Sequence, residues 1–277
     1  MSNIKLSILI PTYNYIEGLQ KILKCLNFID KKFHNLIEII IRDDSEKAIL
    51  KNNDIKKIKL KFKNFKYIHN TKKLGSIQNW NKLIYESKGD YYWLLHHDEY
   101  WDIKKDIVGY LIKEIFQEDP KLIILPVVKK KYYKFGRIVI KILQRHSSFK
   151  QQTNYLFKKP FILFHANIIG PPSALIIKNE KKFFYDINYR FLVDIDFYIR
   201  LIQEFSIKDI ILIDIKSFRI FSSQNNQSSI TNNLRKNLGK IKRIEKYNLS
   251  QKHNYQYNII EITNNLYNYI FYKLYCI

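Results

Sequence analysis

Glycine is scarce. The 277 residues hold seven (Gly18, Gly75, Gly89, Gly109, Gly136, Gly170 and Gly239), and none falls in a GxGxxG or GxxxxGK[ST] spacing. The backbone cradles that hold dinucleotides and P-loop phosphates are therefore missing. Cysteine is scarcer still: Cys25 and Cys276 are too far apart to suggest a metal knuckle or a disulfide framework, which fits a reducing cytoplasm. No apolar run approaches the ~20 residues that span a bilayer. A strand pattern begins almost at the first residue, so no signal peptide is expected. Acidic residues are absent over one long stretch, with none between Asp119 and Glu180.

Positive charge is what the chain has in excess. Lys and Arg number 48 against 25 Asp and Glu, a formal net charge of +23. Lys129, Lys130, Lys131, Lys134, Arg137, Lys141, Arg145 and Lys150 crowd the first half of the acid-free stretch, and a second cluster runs from Arg235 to Lys246. Such charge suits a polyanionic partner: nucleic acid, an acidic membrane surface or a phosphorylated substrate. AT-rich coding, which enriches Lys, Ile, Asn, Tyr and Phe, gives the same excess without a partner, and both readings stand. The length suits one large α/β domain, alone or with a small appendage.

Periodicity gives the fold class. Leu6 to Pro11 is a buried strand followed by the polar Thr12-Tyr13-Asn14, and Glu17 to Leu26 reads as a helix with Leu19, Ile22, Leu23 and Leu26 on one face. Strands are expected at Ile37–Ile41, Phe65–His69, Tyr91–Leu95, Leu122–Val128 and Ile210–Ile215. Helices are expected at Asn79–Glu86, Ile107–Glu118 and Asp194–Phe205. Strands alternating with helices imply an α/β fold, a mostly parallel central sheet flanked by helices. Ser222 to Asn233 reads as a polar mobile loop. From Tyr255, apolar residues at three- and four-residue spacing predict an amphipathic C-terminal helix, either core or membrane-facing. The expected division is a main domain over residues 1–220 and a loop with a basic, aromatic helical extension over 221–277.

In such sheets ligands bind beyond the carboxyl ends of the strands. Three strands deliver polar or acidic residues there: Thr12 and Asn14, Asp43 and Asp44, Asp98 and Glu99. One acidic pair is ordinarily a helix cap; three at one edge argue for a ligand. Without a glycine cradle, a diphosphate needs another source of positive charge, and a divalent metal held by strand-end carboxylates supplies it.

Six segments, in order, resemble the inverting glycosyltransferase family 2, which has the GT-A fold and includes bacterial enzymes of surface-polysaccharide synthesis. They are SILIPTYN at Ser7–Asn14, EIIIRDDS at Glu38–Ser45, the stretch from Asn70 through Asn79-Trp80-Asn81 to Lys88-Gly89-Asp90-Tyr91, HHDE at His96–Glu99, GPPSALII at Gly170–Ile177, and DIDFYIR at Asp194–Arg200. The resemblance implies transfer with inversion from a nucleoside-diphosphate sugar, uridine most of all, to a glycan or glycolipid hydroxyl. It implies nucleotide-sugar contacts from Pro11, Thr12, Asn14, Asp43, Asp44, Asn79, Asn81, His97 and Asp98. It makes Asp194 the catalytic base and puts Pro172, Ser173 and Asp196 on the acceptor side. It assigns a divalent cation to Asp98, with His97 and Glu99 as further ligands. The family usually has Asp where His97 stands, and an imidazole ligand favours Mn2+ over Mg2+. The alternative for His97 is a hydrogen bond to the ribose or a phosphate. No Arg precedes Asn81 where relatives place one, though Lys72 and Lys73 lie near, and the His of the late loop is missing from Ser222 to Ser229.

Two other functions stay open on sequence. A basic nucleic-acid-binding protein would carry a recognition motif or interleaved aromatics, and neither is present; no nucleic-acid partner is expected. A nucleotidyltransferase that makes nucleotide sugars would carry a glycine-rich signature near the first strand, where Pro11-Thr12-Tyr13-Asn14 stands. The expected location is the cytoplasm, with the inner face of the bacterial membrane as a peripheral site.

Overall fold

The computed structural model describes residues 4–101, 106–135, 138–146, 156–164, 167–213, 220–223 and 238–255; over 129–135, 138–146, 222–223 and at 238 it describes the backbone alone. In chain order the strands are β1 (Leu6–Thr12), β2 (Ile37–Asp43), β3 (Phe65–His69), β4 (Tyr91–Leu94), β5 (Glu99–Trp101), β6 (Leu122–Ile124), β7 (Val127–Phe135), β8 (Ile138–His146), β9 (Leu175–Lys178), β10 (Ile210–Leu212) and β11 (Ile220–Ser223). The helices are α1 (Ile16–Leu26), α2 (Asn52–Lys61), α3 (Ser76–Glu86), α4 (Ile107–Glu118), α5 (Val193–Glu204) and α6 (Leu238–Lys252).

Seven strands form the main sheet in the order β10-β6-β9-β4-β1-β2-β3. Its pairings are parallel except those of β9, which runs antiparallel to both β4 and β6. Every residue of β1 and β2 is buried, as expected for two mostly apolar strands at the centre of a helix-covered sheet. Leu19, Ile22, Cys25 and Leu26 bury one face of α1.

The expected strand Leu122–Val128 is two strands in different sheets. Pro126 has no N–H to give a ladder, and the chain leaves the main sheet there. Val127 opens a second, four-stranded sheet in the order β5-β11-β7-β8. The first basic cluster therefore lies largely on a hairpin, β7 paired antiparallel to β8 from Val127↔His146 to Phe135↔Ile138. The second cluster overlaps α6, which lies within the expected basic helical extension but ahead of the helix expected from Tyr255. Helix α2 was missed for a plain reason: none of its residues is buried, so no apolar stripe marks it. The expected boundary at residue 220 falls on the first residue of β11. Residues 224–237 and 256–277, with most of the expected loop and the C-terminal amphipathic helix, lie outside the described residues.

Candidate active site

At the carboxyl edge of the main sheet, register sets Thr12 of β1 beside Asp43 of β2, and Asp43 beside His69 of β3. The chain turns sharply after Thr12: Asn14 is exposed and adopts a left-handed backbone (φ 47°), which asparagine tolerates well. Its N–H donates to the Ser45 hydroxyl at 2.7 Å, tying the two loops together. Pro11 is buried just before the turn.

The acid pair is fully engaged. Asp43 accepts from the N–H groups of Ser45 (3.0 Å) and Ile49 (2.9 Å) and from the Tyr67 hydroxyl. Asp44 accepts from the Asn70 amide (2.8 Å) and from the N–H groups of Leu74 (2.8 Å) and Gly75 (2.9 Å). Six donors thus satisfy this pair without a ligand or metal. The Thr12 hydroxyl, buried at the same edge, has no partner among the described residues. Beside it, Lys73 donates to the Tyr13 hydroxyl at 2.9 Å and sits over that ring.

The turn after β4 decides which imidazole joins the acids. The Glu99 N–H bonds the His96 carbonyl at 2.9 Å, folding residue 96 back beside residue 99. Donor atoms of His96, Asp98 and Glu99 lie within 4.8 Å of one another, so these three could hold a metal ion. His97, the expected ligand, is turned elsewhere. Its Nδ1 accepts the Tyr13 N–H at 3.1 Å and its ring packs edge-on against Tyr15. Helix α1 presses close here, since a Cβ on Gly18 would lie 2.2 Å from the His97 carbonyl oxygen. Burial lowers both imidazoles, to about 3 for His96 and about 4 for His97, so both are neutral at pH 7. Burial also raises Asp98 to about 6. The buried Nε2 of His96 has no hydrogen-bond partner among the described residues, and its ring packs on Trp80 with centroids 4.7 Å apart. A neutral, orphaned imidazole nitrogen beside two carboxylates fits a divalent cation.

Two carboxylates in the first turn of α5 have opposite environments. Asp194 has no hydrogen-bond or ionic partner among the described residues, and burial raises its pKa to about 7. Asp196 is fully buried. Burial alone would push it up, but hydrogen bonds from His253, Lys252 and Arg200 outweigh that and hold it at about 2. Expected on the acceptor side, Asp196 is instead the centre of an ion cluster. Asp194 and Glu99 of β5 act on the same two tyrosines. Burial raises Tyr185 and Tyr198 well above the usual tyrosine range, and the carboxylates of Asp194 and Glu99 both add to that. Tyr185 stacks on Phe197 and packs edge-on against Trp80, so one aromatic wall runs from His96 to α5.

Four other expected contacts are structural in this geometry. Asn79 gives its amide to the Arg42 carbonyl and accepts from Asn70. Asn81 clamps the Tyr185 backbone in both directions, at 2.8 Å each. Pro172 and Ser173 are buried, and the Ser173 carbonyl accepts the Trp93 indole N–H. Sequence reading did not select His96, Tyr185 or Glu245. A histidine next to the expected ligand was the one signal available for His96.

A mostly parallel sheet with a polar carboxyl edge, an antiparallel β9 and an acid–imidazole turn after β4 define a GT-A type of fold. The sequence profile of glycosyl transferase family 2 matches residues 7–176, and the chain belongs to that family. Among solved structures it is similar to S. aureus TarS 1-349, with a TM-score of 0.57 at 14% identity over 79% of this chain and 60% of that chain. The complexes of TarS 1-349 with UDP (TM-score 0.56, 15% identity, 79% of this chain and 60% of that) and with UDP-GlcNAc (0.56, 15%, 82% and 61%) are similar too. The chain thus spans about 60% of the length of these neighbours. No curated protein matches by sequence.

Proposed function

We propose that the chain transfers a sugar from a nucleoside-diphosphate sugar, with UDP as the nucleotide, to a hydroxyl of a surface glycan or glycolipid, inverting the anomeric carbon. One observation carries this reading: Asp194, without a partner among the described residues and raised to about 7 by burial, stands at the start of α5 and shares the surroundings of Tyr185 with Glu99. A carboxylate of that pKa is matched to removing a proton from an acceptor hydroxyl at neutral pH. The TarS complexes with UDP and UDP-GlcNAc support a uridine donor. Pro11, Thr12, Asn14 and the loop organised by Asp43 and Asp44 form the nucleotide slot, with Lys73 as a nearby cation. His97 shapes that slot by holding the Tyr13 N–H.

Family 2 enzymes generally use a divalent cation, and here Asp98, Glu99 and His96 are the residues that would hold it. When bound, the cation neutralises charge on the departing diphosphate. A mixed imidazole and carboxylate set favours Mn2+ over Mg2+. A panel of nucleotide sugars and nucleoside triphosphates, screened by thermal melting with and without manganese, tests the donor. UDP-sugars with manganese should raise the melting temperature most, because a ligand bound only to the folded state stabilises it. Stabilisation by triphosphates alone would point to a nucleotidyltransferase and defeat the reading.

Peripheral attachment to an anionic membrane at the cytoplasmic face belongs to the same proposal. Lys240, Lys242 and Arg243 are exposed on α6, with Ile244 (49% exposed) and Tyr247 (64%) among them. Basic and amphipathic groups so mixed suit an acidic lipid surface. Among the described residues no helix is long and apolar enough to cross a membrane. Liposome flotation should show binding that requires anionic lipid and weakens with salt; equal binding to neutral vesicles would remove the electrostatic element.

A further inference from the structure

Helix α6 grips α5 on both sides of Asp194. The buried carboxylate of Glu245 accepts three consecutive backbone N–H groups, those of Arg190 (2.7 Å), Phe191 (2.9 Å) and Leu192 (2.8 Å). Helix α5 has no side-chain cap of its own, since Leu192 at its N-cap offers no oxygen. Further along α6, Lys252 reaches the Asp196 carboxylate at 2.7 Å, and His253 lies 3.2 Å from the same oxygen. Residues 245 and 252 are about two helical turns apart, or ~10 Å along one face. That face therefore fixes residues 190–192 and residue 196, and Asp194 lies between the two anchors.

We propose that Glu245 is a positioning residue for the catalytic base, acting through the backbone that leads into α5; this rests on the assignment of Asp194 as base. Charge-assisted hydrogen bonds from three successive peptides hold that segment in one conformation. The negative charge also sits where a helix N-terminus favours it. Asp194 has no partner among the described residues to set its position, so its place depends on the backbone that carries it. The grip comes from a helix more than 50 residues downstream in the chain, beyond the segment that the family profile matches.

The test uses the full chain with Glu245→Ala and Glu245→Gln, each alone and combined with Asp194→Asn. Turnover is expressed per site able to bind UDP, counted by calorimetry, so that a loss of folded protein does not register as slower chemistry. Glu245→Ala should lower kcat by ~10–100-fold, the scale of a displaced catalytic group, with the donor KM within about two-fold of wild type. Glu245→Gln, which keeps one acceptor oxygen, should fall between the two, and it carries the test if the Ala variant does not fold. In the Asp194→Asn background Glu245→Ala should cost nothing further, because a residue that acts only through the base has no effect once the base is gone. Wild-type kcat per binding site in either folded Glu245 variant overturns the proposal. So does an equal fold-loss with and without Asp194. If Asp194→Asn itself transfers at the wild-type rate, the base assignment fails first; if it is inactive while Glu245 variants run normally, only the positioning role fails.

Discussion

Asp194→Asn lowers turnover by ~10²–10⁴-fold, the usual share of a general base, and leaves donor binding unchanged. The substitution keeps the shape of the side chain and removes its ability to take a proton. In the wild type the rate should rise as pH passes through the Asp194 pKa of about 7, because only the ionised form accepts the acceptor proton. The residual activity of the variant should lose that limb. Stability moves the other way. Asp194 has an ordinary pKa of 3.8 in the unfolded chain and about 7 in the folded one. Between those values the folded state holds a proton that the unfolded state has lost, so stability falls across that window and the full cost is present above it. Asp194→Asn escapes the cost and should melt a few degrees higher above neutral pH, a trade of activity for stability. Kinetics and melting curves over pH 5–9 check both halves. An Asp194→Asn enzyme with near wild-type turnover would sink the assignment; Asp196, already bonded to Arg200, Lys252 and His253, is poorly placed to replace it.

Asp98→Ala is expected to abolish transfer, since Asp98 belongs both to the motif and to the cluster that could hold a metal ion. The two histidines should separate. His96→Asp replaces a neutral nitrogen beside Asp98 and Glu99 with a hard oxygen, and the ratio of manganese-supported to magnesium-supported activity should fall. His97→Asp removes the acceptor of the Tyr13 N–H and adds a carboxylate near Asp43, so it should weaken donor binding with the metal preference unchanged. Metal-titrated rates for the three variants decide this. Full wild-type activity in excess chelator would contradict the metal site altogether.

The main sheet was legible because β1, β2 and β4 are dominated by large apolar residues, and α4 was read to its end residues. The short strands β5 and β11 carry three and four residues, too few for a period to register; β10 was expected, but ends at Leu212 rather than Ile215. The β7–β8 hairpin was hidden by its lysines, which read as a charge cluster rather than as alternation. At the site, sequence order selected Asp98, Glu99 and Asp194, because each follows a strand or opens a helix. It selected His97 rather than His96, since the difference depends on one turn bond and on the Tyr13 N–H across 84 residues. Nor could it tell that Asn79, Asn81 and Asp196 are occupied inside the protein, or that Glu245 caps α5. Those partners are 9 to 104 residues away in the chain or lie in a helix without a clear apolar stripe.

The central claim is single-displacement transfer with Asp194 as the only base, and the anomeric configuration of the first product tests it most directly. Water can serve as acceptor, so no natural acceptor is needed. An α-linked UDP-sugar is incubated with the enzyme and manganese, and the released sugar is followed by proton NMR before it mutarotates. Attack from the face opposite the diphosphate predicts the β-anomer first, with release lost in Asp194→Asn. The α-anomer first, or release that survives Asp194→Asn unchanged, would contradict the account.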